Sequence, residues 1–449
     1  MRVAIVGGGL GGLTVARTLV AAGIDAHVLE AAPRAGGVLG TSRVDGFVRE
    51  HAASSFLGGP SRGALALCKQ LGVEVEQASP RAKRRWIYLD GKLRALPQSP
   101  LQLVRSDLLT WRGKLDLLRE PFRPPRATGD DESMHAFAAR RLGAEAARAI
   151  VAPFVTGVYA ADAHDISVAA GFPRFAALEA QGGLARGLAR QAARTMVSRA
   201  LGRVSGRRTR KTASGLWAPR QGLDAMVRAL VAELGPRLRI GTPVERVEPT
   251  PRGIQVDGEL WDGVVLALPA EDAKSIVGFP ELASRLGVFH RAPTSIIYLG
   301  FPEDTVPGAR DGFGALVALG EDVRVLGIVF ESVVWPDRAP PGQVLLRCIF
   351  GGGRDPEAAK LDDATLIGHA IRDVGIVLGA TGKPTHASIV RWERGVAQYP
   401  VGHHDHVRAA VTAARTHKIA LAGADYHGPG LNDLCTDTDR ILDEVRAWS

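Results

Sequence analysis

The sequence contains very little cysteine. Among 449 residues there are three, Cys68, Cys348 and Cys435, each standing alone. This spacing supports neither a disulfide framework nor a cysteine-based zinc knuckle, and it points to a reducing compartment. No apolar run approaches the ~18–20 residues that a spanning helix requires, which excludes a multi-span membrane protein. Met1-Arg2 leads straight into the strand-like Val3-Ala4-Ile5-Val6 with no secretory signal before it, so a cytoplasmic protein is expected. Internal repeats and low-complexity tracts are missing too, which excludes collagen-like and disordered chains. Lysine is scarce: nine of the 56 basic residues, against 47 arginines, a bias that a GC-rich genome produces by itself.

The composition is 46% hydrophobic and 23% charged, ordinary for a globular protein. The length is about three domains' worth at ~150 residues each, so two or three domains are expected. The net charge of +9 is matched by one segment, Arg186 to Lys211, which holds nine basic residues and no acidic one. Arg186, Arg190, Arg194, Arg199 and Arg203 step by four, four, five and four and line one helical face, with Leu188, Val197, Leu201 and Val204 on the others. Two readings follow: a solvated face with a basic loop, or a helix lying on an anionic membrane surface. Nucleic acid is set aside because no motif or aromatic stacking set accompanies the charge.

The first 60 residues read as βαβ. Residues 2–6 form an apolar strand, Leu13, Ala16, Leu19 and Val20 recur at helical spacing, and Ala26 to Glu30 is a second strand. Residues 100–212 read mostly as helix, with Ala144 to Val155 rich in alanine and Pro121 to Pro125 as a break. Four short β-branched runs follow, at Ser295 to Leu299, Gly314 to Leu319, Val323 to Phe330 and Val344 to Phe350. With no long helix between them they predict an antiparallel sheet. A helix over Asp363 to Val377, strands over Ser388 to Trp392 and Ile419 to Gly423, and a last helix complete the chain.

Gly7-Gly8-Gly9-Leu10-Gly11-Gly12 satisfies G-x-G-x-x-G at Gly7, Gly9 and Gly12. The motif alone is weak, but here it follows a strand, opens a helix and precedes an acid, Glu30, by 18 residues. Gly7 permits the tight turn, Gly9 lets a pyrophosphate approach the backbone, and Gly12 lets helix and strand pack closely. The helix N-terminus then faces the phosphates, and Glu30 would accept the ribose hydroxyls. The continuation Glu30-Ala31-Ala32-Pro33-Arg34-Ala35-Gly36-Gly37 adds a basic residue and a glycine pair. Arg34 can neutralise pyrophosphate charge, and Gly36-Gly37 lets the backbone run along an extended cofactor, which favours FAD over a nicotinamide dinucleotide.

This N-terminal pattern resembles the flavin amine oxidase superfamily, and the rest of the chain resembles its protoporphyrinogen oxidase family. The similarity is carried by Arg81-Ala82-Lys83-Arg84-Arg85-Trp86-Ile87-Tyr88, Gly91-Lys92-Leu93-Arg94, Pro97 to Pro100, Asp131-Glu132-Ser133, Gly157-Val158-Tyr159-Ala160, Ser167 and Gly171-Phe172-Pro173. It continues through Ala292-Pro293 to Gly300-Phe301, Asp311-Gly312-Phe313-Gly314, Gln398-Tyr399, Gly402-His403 and Gly428-Pro429-Gly430-Leu431-Asn432-Asp433. The resemblance implies an α/β protein with a discontinuous Rossmann-like FAD-binding domain (1–75, 214–272, 384–449). An antiparallel-sheet substrate domain (76–95, 273–383) and a helical, membrane-facing domain (96–213) accompany it.

It further implies that Val244, in a strand, contacts adenine, that Gly423, Gly430, Leu431 and Asn432 carry backbone donors to the flavin, and that Trp392 packs near the isoalloxazine. Ser54, Ser55, Arg85 and Phe313 are the residues implied for substrate, with Arg84 a further basic option. No catalytic side chain is required, because flavin N5 accepts hydride. The implied reaction converts protoporphyrinogen IX to protoporphyrin IX in haem biosynthesis, with dioxygen as acceptor and hydrogen peroxide released. Coproporphyrinogen III oxidation is the closest alternative, followed by another oxidoreductase of the superfamily and a non-catalytic porphyrin-binding paralogue. The implied partners are porphyrinogen and dioxygen, with peripheral contact to the cytoplasmic face of a membrane and a homodimer as further options.

The chain departs from the family pattern at Glu50-His51-Ala52-Ala53, Arg220-Gln221-Gly222, Ala397-Gln398-Tyr399, Gly423-Ala424 and Leu434. His403-His404-Asp405-His406 is read as a polar turn rather than a metal site, since no distant ligand pair completes it.

Overall fold

The computed structural model describes residues 1–59, 63–126, 130–193, 214–309 and 311–448. Two compact units divide the chain: Met1–Ala78, Thr212–Arg291 and His404–Ser449 form the first, and Ser79–Lys211 with Ala292–His403 the second. Most of the basic segment, Arg194 to Lys211, lies outside the described residues, whereas Arg186 and Arg190 are exposed on a helix.

The first unit is built on a five-stranded parallel sheet in the order Leu238–Ile240, Asp25–Glu30, Arg2–Val6, Gly263–Leu266, Ile419–Leu421. Alternation sends Val3 and Ile5 to one face and Ala4 and Val6 to the other, and both faces are buried. That is why this strand reads as a continuous apolar run. Helices Leu10–Ala21, Asp224–Leu234 and Thr438–Arg446 pack on the first face. On the second lie a small antiparallel sheet (Val247–Thr250, Gly253–Val256, Glu259–Trp261) and helices Ala270–Ile276, Pro280–Leu286 and His403–Arg415. The His403–His406 segment predicted as a turn is therefore the start of a helix, with the His403 ring stacked on Tyr399 at 4.0 Å. Local polarity does not reveal this, because the apolar face begins only at Val407 and Ala410.

The second unit carries a seven-stranded sheet in the order His386–Ala397, Arg291–Pro302, Gln343–Gly351, Gly327–Phe330, Gly314–Val317, Trp86–Leu89, Lys92–Ala95. It is antiparallel as predicted at Arg291–Pro302/Gln343–Gly351 and its neighbours, but Gly314–Val317 runs parallel to Trp86–Leu89. The strand predicted from Val323 starts late, at Gly327. The N–H groups of Arg324 and Val325 donate instead to the Asp373 carboxylate, at 2.8 and 2.9 Å. Asp373 comes from helix Asp363–Leu378, which covers one sheet face. Its carboxyl is pushed up in pKa by burial, against the pull of those two N–H groups.

The helical block predicted as a separate domain packs onto this sheet. Leu108, Leu109, Ala146 and Ala149 share a core with Ile87, Leu89 and Ala318. The strand over residues 386–397, expected with the cofactor domain, joins the same sheet beside Arg291–Pro302. Helicity over 144–155 is continuous but widens to a π-turn at Ala147–Val151. Pro153 supplies the reason: it has no N–H and its ring crowds the carbonyl four residues back.

One buried charge organises the helical block. Glu120 is 3% exposed and accepts from Leu184 N (2.7 Å), Ala185 N (3.0 Å) and the fully buried Arg141 guanidinium. Burial alone would raise the Glu120 pKa, but the N–H groups and Arg141 together hold it below the usual carboxylate value. A depressed folded-state pKa contributes stability above the unfolded value that is lost as pH falls through the folded one. Arg141→Ala, which strands the carboxylate, is expected to cost about 3–5 kcal/mol. In Glu120→Gln the acid-side loss of thermal midpoint should be shallower than in the parent, as differential scanning calorimetry from pH 7 downward would show.

Candidate cofactor site

The strand Arg2–Val6 ends at Gly7, whose φ of +107° only glycine adopts readily. A Cβ there would sit 2.6 Å from the Ala267 carbonyl oxygen, because the chain leaving strand Gly263–Leu266 runs directly against the turn. At Gly12 a Cβ would stand 2.0 Å from the Gly7 oxygen. Gly9 caps helix Leu10–Ala21 in an extended conformation, and the first turn holds no acidic side chain. The positive end of the helix is thus preserved for an anion.

A second loop lies on this turn. Gly36 N donates to Gly8 O at 2.7 Å and Gly36 forms a β-bridge to Gly9. Arg34 donates to the carbonyls of Leu39 (2.8 Å) and Gly37 (2.9 Å). In this structure, then, Arg34 shapes the Gly36-Gly37 loop. Glu30 accepts from Gly8 N at 2.6 Å and Ala32 N at 2.8 Å, and an ionised carboxylate has further lone-pair sites for hydroxyl donors. Val244 was predicted in a strand but lies in the extended stretch between Leu238–Ile240 and Val247–Thr250. The ladder ends as Thr242 N donates to Glu30 O at 2.8 Å, so Val244 sits two residues beyond that contact, half-buried against the core.

The third segment follows strand Ile419–Leu421. Gly423 has φ +122°, and its Cα is 3.8 Å from where a Cβ on Gly11 would stand. Gly430 opens the helix Leu431–Thr436, and Leu431 joins the core that holds Leu10 and Leu13. The Asn432 amide accepts from Ala64 N and donates to Leu57 O, both at 2.9 Å. It thereby ties this helix to the stretch that carries buried Ser54 and half-buried Ser55. Ser54, Ser55 and the predicted cofactor residues other than Trp392 thus all lie in the first unit. The second unit holds Trp392, half-buried on strand His386–Ala397, and Arg85, whose guanidinium lies 5.5 Å from the centroid of the Phe313 ring.

Several residues that organise the site were not singled out from sequence. Asp425 is 2% exposed and accepts from Ala270 N (2.8 Å) and Arg291 Nε (2.7 Å), bolting the Gly423 loop to the start of helix Ala270–Ile276. Asp433 accepts from Gly430 N, and burial raises its pKa. Glu50, noted only as part of a departure from the family pattern, is buried and accepts from Thr41 Oγ1 (2.7 Å) and Leu223 N (3.1 Å). The signal available was an acid at the end of an apolar strand or in a glycine-rich loop.

A Cβ on Gly9 or on Gly423 would meet no atom within 4 Å, whereas Gly7 and Gly12 are closed against backbone. The model of the family described as flavin containing amine oxidoreductase matches residues 10–431. The chain belongs to this family. It is an oxidoreductase, and its cofactor is FAD, which the acid-free helix N-terminus beside the uncrowded Gly9 fits.

Three relatives in the family match over nearly their whole length. The coproporphyrinogen III oxidase of Bacillus subtilis is 26% identical, with 97% of this chain and 95% of that protein covered. That of Propionibacterium freudenreichii is 30% identical (98% and 90%). The mitochondrial protoporphyrinogen oxidase of Nicotiana tabacum is 27% identical (100% and 96%). Among solved structures, an Exiguobacterium protein assigned as a protoporphyrinogen oxidase shares the fold, with TM-score 0.83, 22% identity and coverage of 100% and 99%.

Gly9→Ala separates room for a ligand from folding. Its backbone suits alanine, so thermal stability of the flavin-free chain should change by no more than about 0.5 kcal/mol. FAD affinity, read by fluorescence titration, should fall about tenfold or more as the methyl enters the groove. Gly12→Ala should instead lower the thermal midpoint of the flavin-free chain as well.

Proposed function

We propose that this chain oxidises a porphyrinogen to the porphyrin, consuming three dioxygen and releasing three hydrogen peroxide per macrocycle, with FAD held at the glycine turn. The observation that carries the reading is a glycine turn left uncrowded at Gly9, in a chain matched end to end by porphyrinogen oxidases. When bound, FAD supplies the acceptor for hydride and the reductant for dioxygen. The chain's residues bind and orient. Backbone N–H groups at the start of helix Leu10–Ala21 would hold the pyrophosphate, and Glu30 would take the ribose hydroxyls on lone pairs not used by Gly8 and Ala32. Val244 would flank adenine. Gly423, Gly430, Leu431 and Asn432 would lie along the flavin, where backbone donors stabilise developing negative charge.

Arg85 is the residue we assign to a substrate propionate. Its guanidinium is exposed and backed by the Phe313 ring, which leaves its edge N–H groups for a bidentate carboxylate. Ser54 and Ser55 are assigned to the substrate, and Trp392 to the flavin, by the family resemblance alone.

Protoporphyrinogen IX is the substrate of the first reading. Coproporphyrinogen III is the second, favoured by the bacterial relatives that carry that name. The two differ in carboxylates, since the latter bears propionates where the former bears vinyl groups. Mixing the FAD-loaded chain anaerobically with each porphyrinogen is expected to bleach the flavin and raise porphyrin fluorescence above an enzyme-free control. Higher kcat/KM with protoporphyrinogen IX supports the first reading, and equal or higher values with coproporphyrinogen III support the second. Bleaching by neither overturns both. Arg85→Ala should raise KM about tenfold or more with kcat less affected, as loss of a charge-assisted contact predicts.

A further inference from the structure

The seven-stranded sheet of the second unit has two unlike faces. On one, Ile297, Leu299, Ile328, Phe330, Leu346 and Cys348 are buried in the core that helix Asp363–Leu378 covers. The residues between them turn to the other face. Part of that second face is closed, since Ile87 and Leu89 pack with Leu108, Leu109, Ala146 and Ala149. Towards the middle of the sheet, however, Leu316, Val329 and Ile349 on this face are only half-buried. Aliphatic side chains left partly open on interior strands offer a surface to an apolar ligand.

A charge stands in this surface. Arg347, on the interior strand Gln343–Gly351, is 8% exposed, and arginine is rarely so deep. Its parity places it with Ile349, away from Leu346 and Cys348. In the register it stands opposite Tyr298 on one side and Val329 on the other. The same row continues across the sheet. Val329 stands opposite Gly314, and because Ala315 pairs with Trp86 in parallel, Gly314 comes level with Arg85. Arg85 has the parity of Ile87 and Leu89, so the two arginines belong to one face. They are three strands apart, about 14 Å at ~4.8 Å per strand, with only Val329 and Gly314 between them in the row.

This spacing bears on the substrate. The two propionates of protoporphyrinogen IX sit on adjacent pyrroles, at one edge of the macrocycle. In coproporphyrinogen III every pyrrole carries one, so opposed edges both present a carboxylate. Arg85, assigned above to one propionate, serves one edge only. Resting on the reading of this chain as a porphyrinogen oxidase, we propose that Arg347 is a second carboxylate anchor. It holds a propionate at the edge opposed to Arg85 and so selects tetrapyrroles carboxylated on both, which favours the second reading of the substrate. A guanidinium suits this role: it binds carboxylate bidentately, and its five N–H donors can serve a ligand beside an internal acceptor. Leu316, Val329 and Ile349 supply the apolar surface alongside.

The test compares coproporphyrin III with mesoporphyrin IX, whose two propionates are adjacent, as ligands of the FAD-loaded full chain, with Kd read from the Soret band. The parent is expected to prefer coproporphyrin III. R347Q should lower that preference about tenfold or more, and R347K, which keeps the charge without the fork, should fall between. V329E leaves Arg347 in place but offers it an internal carboxylate, and should lower the preference as R347Q does. R85Q should instead weaken both ligands together. In turnover, R347Q should raise KM for coproporphyrinogen III about tenfold with kcat less affected.

If the parent oxidises neither porphyrinogen while R347Q still erases the preference in binding, the oxidase reading fails and the anchor stands. The proposal is overturned if the parent shows no preference for coproporphyrin III. It is equally overturned if R347Q weakens both ligands alike, as an arginine that only supports the sheet would, or if R347Q and V329E bind like the parent. Should R347Q not fold, R347K and V329E decide by the same ratio.

Discussion

The backbone of the glycine turn lies against the chain leaving strand Gly263–Leu266 and against the Gly36-Gly37 loop, and the first unit is arranged around that contact. A Cβ at Gly7 would stand 2.6 Å from the Ala267 oxygen, and one at Gly37 3.2 Å from the Gly9 Cα. Side chains at these positions would push apart the three segments that meet there. Gly9 and Gly423 face open space in the same region. The glycines thus fall into two kinds, those that let backbone meet backbone and those that face open space.

Buried carboxylates do a comparable job over longer distances. Glu50 holds Leu223 N, Asp425 holds Ala270 N, Asp373 holds Arg324 N and Val325 N, and Glu120 holds Leu184 N and Ala185 N. Each accepts backbone donors from a segment dozens of residues away or more. A carboxylate out of water is costly unless hydrogen-bonded, so each site has one arrangement in which the cost is offset. In a chain whose cofactor unit is assembled from three separate stretches, such clamps help to specify how those stretches meet. Two of them, Glu50 and Asp425, lie in the first unit.

The glycine turn and the elements around it were legible in the sequence because their requirements are local. A strand, a glycine turn, a helix and an acid at the end of the next strand state a backbone geometry within thirty residues, and the structure has it. Strand Gly327–Phe330 shows where that reasoning stops. The β-branched run from Val323 is apolar enough to be a strand throughout, but Asp373 captures its first amides from another element. Arg34 shows the same limit: its charge was legible, whereas its hydrogen bonds to the carbonyls of Leu39 and Gly37 came only with the folded loop.

What the sequence determined by itself was most of the elements and the backbone geometry of the glycine turn, because period-two and period-3.6 patterns and glycine spacing record backbone needs directly. What only the tertiary structure decided was which face each pattern turned. The stripe Trp111, Leu115, Leu118 and Phe122 has the spacing of a core-facing helix, yet it points to solvent because Leu117, Gly113 and Lys114 fill the inner side. Likewise Asn432, Asp425 and Glu50 found their partners through packing of segments 368, 155 and 173 residues apart. Hydrophobic periodicity says that a face wants to be buried. Whether the fold has space for it depends on every other segment competing for the same core.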